Sequence, residues 1–129
     1  MTKFTQANIR TDVTNAAEQS GMAPEVEARF ARTDLDAEHV GVSYQRLEPN
    51  ARMPFGHHHV KDEEVYVVVA GSGRVKLDDE IVEVAEWDAV RVSPETMRAF
   101  EAGSNGIEFL AFGTHSEDDV KMTPGWWSD

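Results

Sequence analysis

Between residues 40 and 113 the chain is a succession of short β-prone runs separated by turn residues, and this spacing restricts its fold more than any other feature. Residues 40–47 alternate apolar and polar and stop at Glu48-Pro49-Asn50. Residues 65–70 are β-branched and apolar and run into Gly71-Ser72-Gly73. Residues 74–77 and 80–84 flank an Asp78-Asp79 turn, and residues 90–92 end at Ser93-Pro94-Glu95. Residues 96–101 run up to Gly103-Ser104-Asn105-Gly106, and residues 107–112 end at Gly113. Strands this short at such regular spacing predict an all-β sandwich or barrel, and no helix interrupts them as a nucleotide-binding α/β fold requires.

A chain of 129 residues with 40% hydrophobic and 28% charged residues is one domain long and able to bury a core. No run of eighteen apolar residues is present and residues 1–10 carry no secretory pattern, so a cytoplasmic protein that does not span a membrane is expected. Without cysteine there are no disulfides, thiolate metal sites or cysteine nucleophile. A net charge of −12 opposes binding to nucleic acid and to anionic lipid. The expected organisation is an N-terminal arm over residues 1–24, a barrel over residues 25–115, and a tail over residues 116–129 that packs on the barrel. Residues 8–17 read as a short helix or an extended arm, and residues 27–32 alternate as a strand.

Three histidines follow one another at positions 57–59. In a strand, His57 and His59 share one face and His58 takes the other. A short turn over residues 60–63 leads to the strand that begins at Glu64. If the two strands pair antiparallel, His59 and Glu64 meet at the neck of a hairpin. Two imidazoles and one carboxylate are then a first shell for a divalent ion, with open positions for substrate or oxygen. Glu63, one residue out of phase, is expected to face away, and His39 and His115 read as surface residues.

The run from His57 to Glu64, followed by six residues and Gly71, resembles the first motif of the cupins, HxHx4Ex6G, and the resemblance extends over roughly residues 40–113. It implies a cupin double-stranded β-helix, or jelly-roll barrel, with His57, His59 and Glu64 binding Mn, Fe, Ni, Zn or Cu. The second cupin motif is degraded. Glu86-Trp87-Asp88 lies where a Gly-Asp turn is usual, Arg98 where the fourth histidine ligand stands, and Ala102 where an asparagine is usual. Arginine has no lone pair to give a metal.

Arg98 therefore has three readings: a surface residue in a misaligned strand, an ion-pair partner of Glu64 that replaces the metal, or a clamp for an anionic substrate beside a three-ligand ion. Parity puts Tyr66 and Phe100 inside with Glu64 and Arg98, as core or as substrate contacts. Two functions follow. One is a metal-dependent oxygenase or isomerase acting on a small anionic molecule. The other is a metal-free, non-catalytic binding or sensory module held by an Arg98–Glu64 pair. The resemblance also implies a homodimer, with residues 27–32 placed to pair with or swap onto a neighbour. Trp126 and Trp127 are expected to pack the tail onto the barrel or a partner.

Overall fold

Two glycine clusters that read as strand ends instead let strands continue. In the computed structural model, which describes residues 3–129, strand β4 runs unbroken from Glu64 to Leu77 and β7 from Arg98 to Thr114. They pair antiparallel along their length, with register shifts between Val68/Ala70 and Gly71/Gly73. Gly71 and Gly106 both have positive φ, and a Cβ on Gly71 would lie 2.1 Å from the Gly106 carbonyl oxygen. Only glycine allows that approach, which bends two long strands together.

Around this pair stand α1 (Ala16–Ser20), β1 (Val26–Phe30), β2 (Val40–Leu47), β3 (Phe55–His59), β5 (Glu80–Ala85), β6 (Ala89–Val92) and β8 (Val120–Pro124). All eight strands belong to one curled antiparallel sheet: its path is β1-β2-β7-β3-β8, and β4 pairs with β5, β6 and β7. Inside the curl, Leu47, Tyr66, Val68, Val75, Phe100 and Phe109 form the core. Among the described residues no helix is long and apolar enough to cross a membrane.

The flanks differ from expectation. Met1 and Thr2 of the expected arm lie outside the described residues. The helix is shorter and later than residues 8–17: Asn15 caps it, accepting from the Ala17 amide at 3.1 Å, and also accepts from Ala28 in β1 at 3.0 Å. Strand β1 pairs with β2 of its own chain, so its ladder on that side needs no second copy. The tail adds a strand, because β8 pairs antiparallel with β3 from Phe55↔Pro124 to His59↔Val120. Beyond it Trp127 is buried, with the Arg52 guanidinium 4.4 Å over its ring, and a Cβ on Gly56 would lie 2.6 Å from Trp126. The turn at residues 86–88 forms with Trp87 in the left-handed region at φ 70°, which explains why glycine suits that place.

Candidate metal centre

The turn at residues 60–63 brings the end of β3 to the start of β4, but the two strands do not pair as the expected hairpin: β3 pairs with β7 and β8, and β4 with β5, β6 and β7. His57 and His59 leave β3 on one side, and Glu64, first residue of β4, meets them there. The Nε2 atoms of His57 and His59 lie 3.4 and 3.2 Å from Glu64 Oε1. His57 is paired in register with Arg98 across β3 and β7, so Arg98 stands in the place of a fourth ligand. Its first reading, a surface residue, is excluded: Arg98 is 1% exposed.

Four of the five guanidinium N–H donors bond to the protein. Nη1 donates to Glu64 Oε1 at 2.7 Å and Nε to the Thr96 carbonyl at 3.0 Å. Nη2 donates to the carbonyls of Ser93 at 2.8 Å and Pro94 at 3.3 Å. Arg98, expected as an anion clamp, turns these donors to the protein and is not among the residues that line the cavity. Tyr66 and Phe100 are the other two residues expected to contact substrate. Both are core residues, Phe100 stacked on Phe109 at 4.2 Å, and neither lines the cavity. The Tyr66 hydroxyl reaches the site from below and donates to Glu64 Oε1 at 2.6 Å.

These distances separate two kinds of contact. The short bonds from Tyr66 and Arg98 both go to Glu64 Oε1, which leaves Oε2 as the oxygen that would ligate an ion. The longer histidine approaches leave both Nε2 atoms aimed at a common point beside the carboxylate. One ligating atom from each of His57, His59 and Glu64 lies within 4.8 Å of the other two, close enough for the three side chains to share a divalent ion. Arg98 and Tyr66 then orient Glu64 from behind, as outer partners of a ligand do.

Electrostatics keep the set in its ligating form. Burial alone would raise the Glu64 carboxyl, but its close contacts with His57, His59 and Tyr66 outweigh it and hold the group well below the usual carboxylate range. Burial holds the His57 imidazole below its ordinary value despite the neighbouring Glu64. Each shift leaves the folded chain with fewer bound protons than the unfolded one. Stability is thus fully present above pH 6.5 and declines as pH falls, first through His57 and, below 4.5, through Glu64 as well. Denaturation of chelator-treated protein from pH 8 to 4 should show this decline, and His57→Gln should remove its upper part. A flat profile between pH 7.5 and 5 contradicts the assignment.

A cavity of about 510 Å³ opens over the three residues. It exists because Gly41, Ser43, Ala111 and Gly113 occupy its wall positions on β2 and β7, where Gly41 pairs with Gly113 and Ser43 with Ala111. Phe30, Val42, Met53, Phe55, Val120 and Met122 make the rest of the wall largely apolar. Sequence reasoning missed these residues, and it missed Asp119, which lies just before β8 with Oδ2 3.3 Å from His59 Nδ1. It also placed His115 at the surface, whereas His115 lines the cavity. His39 is exposed, and Glu63 faces away from the site, paired with Arg91 at 2.9 Å. His58 is outside the cavity lining.

A second cluster, His59, Asp62 and Asp119, also brings metal-ligating atoms together. Its carboxylates are already satisfied by donors. Asp62 accepts from the Thr114 hydroxyl and from the amide and hydroxyl of Ser116, each at 2.9 Å. Asp119 accepts from the amides of Lys61 and Asp62 at 3.0 and 2.9 Å. This cluster fixes the β3–β4 turn.

No family model and no curated protein sequence matches the chain. Solved structures do. A cupin protein from Bacteroides fragilis superposes with a TM-score of 0.72 at 24% identity, over 92% of this chain and 89% of its own. The polyketide cyclase RemF from Streptomyces resistomycificus gives 0.73 at 23% identity, over 90% and 83%. A tryptophan-to-phenylalanine variant of Bacillus subtilis oxalate decarboxylase gives 0.67 at 27% identity over 77% of this chain, which spans only 28% of that enzyme. With the HxHx4Ex6G run at the meeting of β3 and β4 in this same curled sheet, the chain has the barrel fold of the cupin proteins.

Proposed function

We propose that the protein binds one divalent metal ion through His57, His59 and Glu64, and uses that centre to bind and transform a small, uncharged, largely apolar molecule. The carrying observation is the pair of imidazole Nε2 atoms converging beside a carboxylate whose own hydrogen bonds come from Arg98 and Tyr66. A bound ion would supply Lewis acidity or an oxygen-binding position. The residues of the chain do the rest: Arg98 and Tyr66 orient Glu64, and the cavity wall excludes water and holds the ligand.

Charge argues for an uncharged ligand. Asp62, Glu64, Asp118 and Asp119 line the cavity against one guanidinium, Arg32, leaving −3. Arg98 beneath the floor and a divalent ion bring the balance to zero, and an added anion would disturb it. The wall therefore suits a carbon-rich molecule such as a polyketide cyclase handles better than a small dianion such as oxalate.

The test is calorimetric titration of metal-loaded protein with 2-naphthol and with 2-naphthoate. The alcohol should bind at least about tenfold more tightly, ~1.4 kcal/mol. Tighter binding of the carboxylate contradicts an uncharged ligand. Gly41→Phe is the control, because a Cβ there meets only the Gly113 carbonyl oxygen at 3.7 Å and the side chain fills the cavity. That variant should keep its metal and lose naphthol binding.

A second reading is favoured by one observation, the 2.7 Å contact of a buried Arg98 with Glu64. In that reading the guanidinium replaces the ion, and the protein is a metal-free binding module with the same cavity.

A further inference from the structure

We infer that Asp119 is a positioning residue for the metal centre: it holds His59 in the Nδ1–H tautomer, so that the Nε2 lone pair faces His57 and Glu64. This rests on the metal-binding reading above for its purpose, though not for its geometry.

His59 Nδ1 is buried and makes no well-directed hydrogen bond, and Asp119 Oδ2 lies 3.3 Å from it. An imidazole carries one proton when neutral, and its neighbours decide which nitrogen has it. With Nδ1 unprotonated, its lone pair would face a carboxylate oxygen at that distance, and the two would repel. With Nδ1 protonated, the same approach is attractive.

Glu64 is the competing acceptor, 3.2 Å from Nε2. Its charge is already countered by Arg98 at 2.7 Å and its Oε1 accepts from Tyr66 at 2.6 Å. Asp119 has no such counter-charge among the described residues. Among the described residues its hydrogen bonds come from the backbone amides of Lys61 and Asp62, and His59 is its one ion-pair contact. Those amides hold the carboxylate in place beside Nδ1. The less compensated carboxylate draws the proton, so Nδ1 is protonated and Nε2 is free.

The position of Asp119 is itself determined. Asp118 turns the chain in the left-handed region at φ 53°, and β8 then pairs with β3 starting at His59↔Val120. The same carboxylate thus clamps the β3–β4 turn, which sets the His59–Glu64 spacing, and faces the imidazole of His59. A purely structural clamp would need the amide bonds alone. The approach to Nδ1 is what the positioning role adds.

The experiment is long-range nitrogen–proton NMR of the histidines in chelator-treated protein at pH 8, alongside zinc titration of wild type and Asp119→Asn. The asparagine keeps an oxygen for the backbone amides and can turn its amide towards Nδ1. The expected result is an Nδ1–H tautomer for His59 in wild type and a shift to Nε2–H in Asp119→Asn. Zinc affinity should weaken about 10- to 100-fold. An Nε2–H tautomer in wild type overturns the proposal even if the variant does not fold, and so does an unchanged tautomer in a folded variant. If wild type takes no zinc, the metal reading fails by itself, while the tautomer still decides the role of Asp119.

Discussion

Replacing Arg98 with alanine is expected to destabilise the metal-free protein by about 3 kcal/mol, the low end for breaking a buried ion pair. The low end applies because Glu64 keeps partial contact with the cavity and retains the Tyr66 hydroxyl. The loss comes from a carboxylate left without its guanidinium. The double variant Arg98→Ala/Glu64→Gln should therefore recover much of it, and so should a divalent ion that neutralises Glu64 in the single variant. Arg98→His should go further and tighten metal binding by adding a ligand opposite His57. Thermal melts with and without metal separate these outcomes. An Arg98→Ala variant as stable as wild type in the presence of chelator contradicts the charge-partner assignment.

His57→Ala and His59→Ala are each expected to abolish stoichiometric metal uptake, since either leaves two ligands where three converge. Neither should unfold the protein. Both imidazoles border the cavity, and the core lies elsewhere, around Tyr66, Phe100 and Phe109. Elemental analysis after dialysis reads the first effect and a melt in chelator reads the second. Retained metal in both variants would remove these residues from the centre.

How much of this was legible depended on how local the signal is. The metal set lies within eight residues, from His57 to Glu64, and strand parity plus one turn suffice to bring it together. Strand β2 was readable to its bounds for the same reason, a plain alternation closed by a proline. Glycine misled at positions 71–73 and 103–106. Sequence reading takes glycine as punctuation, whereas here it permits a backbone crossing that depends on what lies opposite, which is long-range information. Strand β8 was missed although Val120-Lys121-Met122-Thr123 alternates, because four residues ending at a proline are a weak pattern without the β3 edge they pair with. Asp119 was invisible for a related reason. It acts on His59 from sixty residues away and carries no motif.

Arg98 shows where sequence stops. Alignment placed it where the fourth histidine ligand stands, and the structure pairs it in register with His57. Whether it would grip a substrate, replace a metal or brace Glu64 turned on the direction of its donors, and these go to Glu64, Ser93, Pro94 and Thr96. The carbonyls that receive them sit in a turn whose geometry no spacing rule supplies.

The central claim is an open three-ligand metal centre, and its most direct test is the metal content of tag-free protein, followed by titration of the chelator-treated form with Mn, Fe, Ni, Zn and Cu at pH 7.5. The account predicts close to one ion bound per chain, competed away by acidification as protons take the ligands' lone pairs. Failure to take up any of the five would contradict it and leave the Arg98–Glu64 pair as the whole of the site.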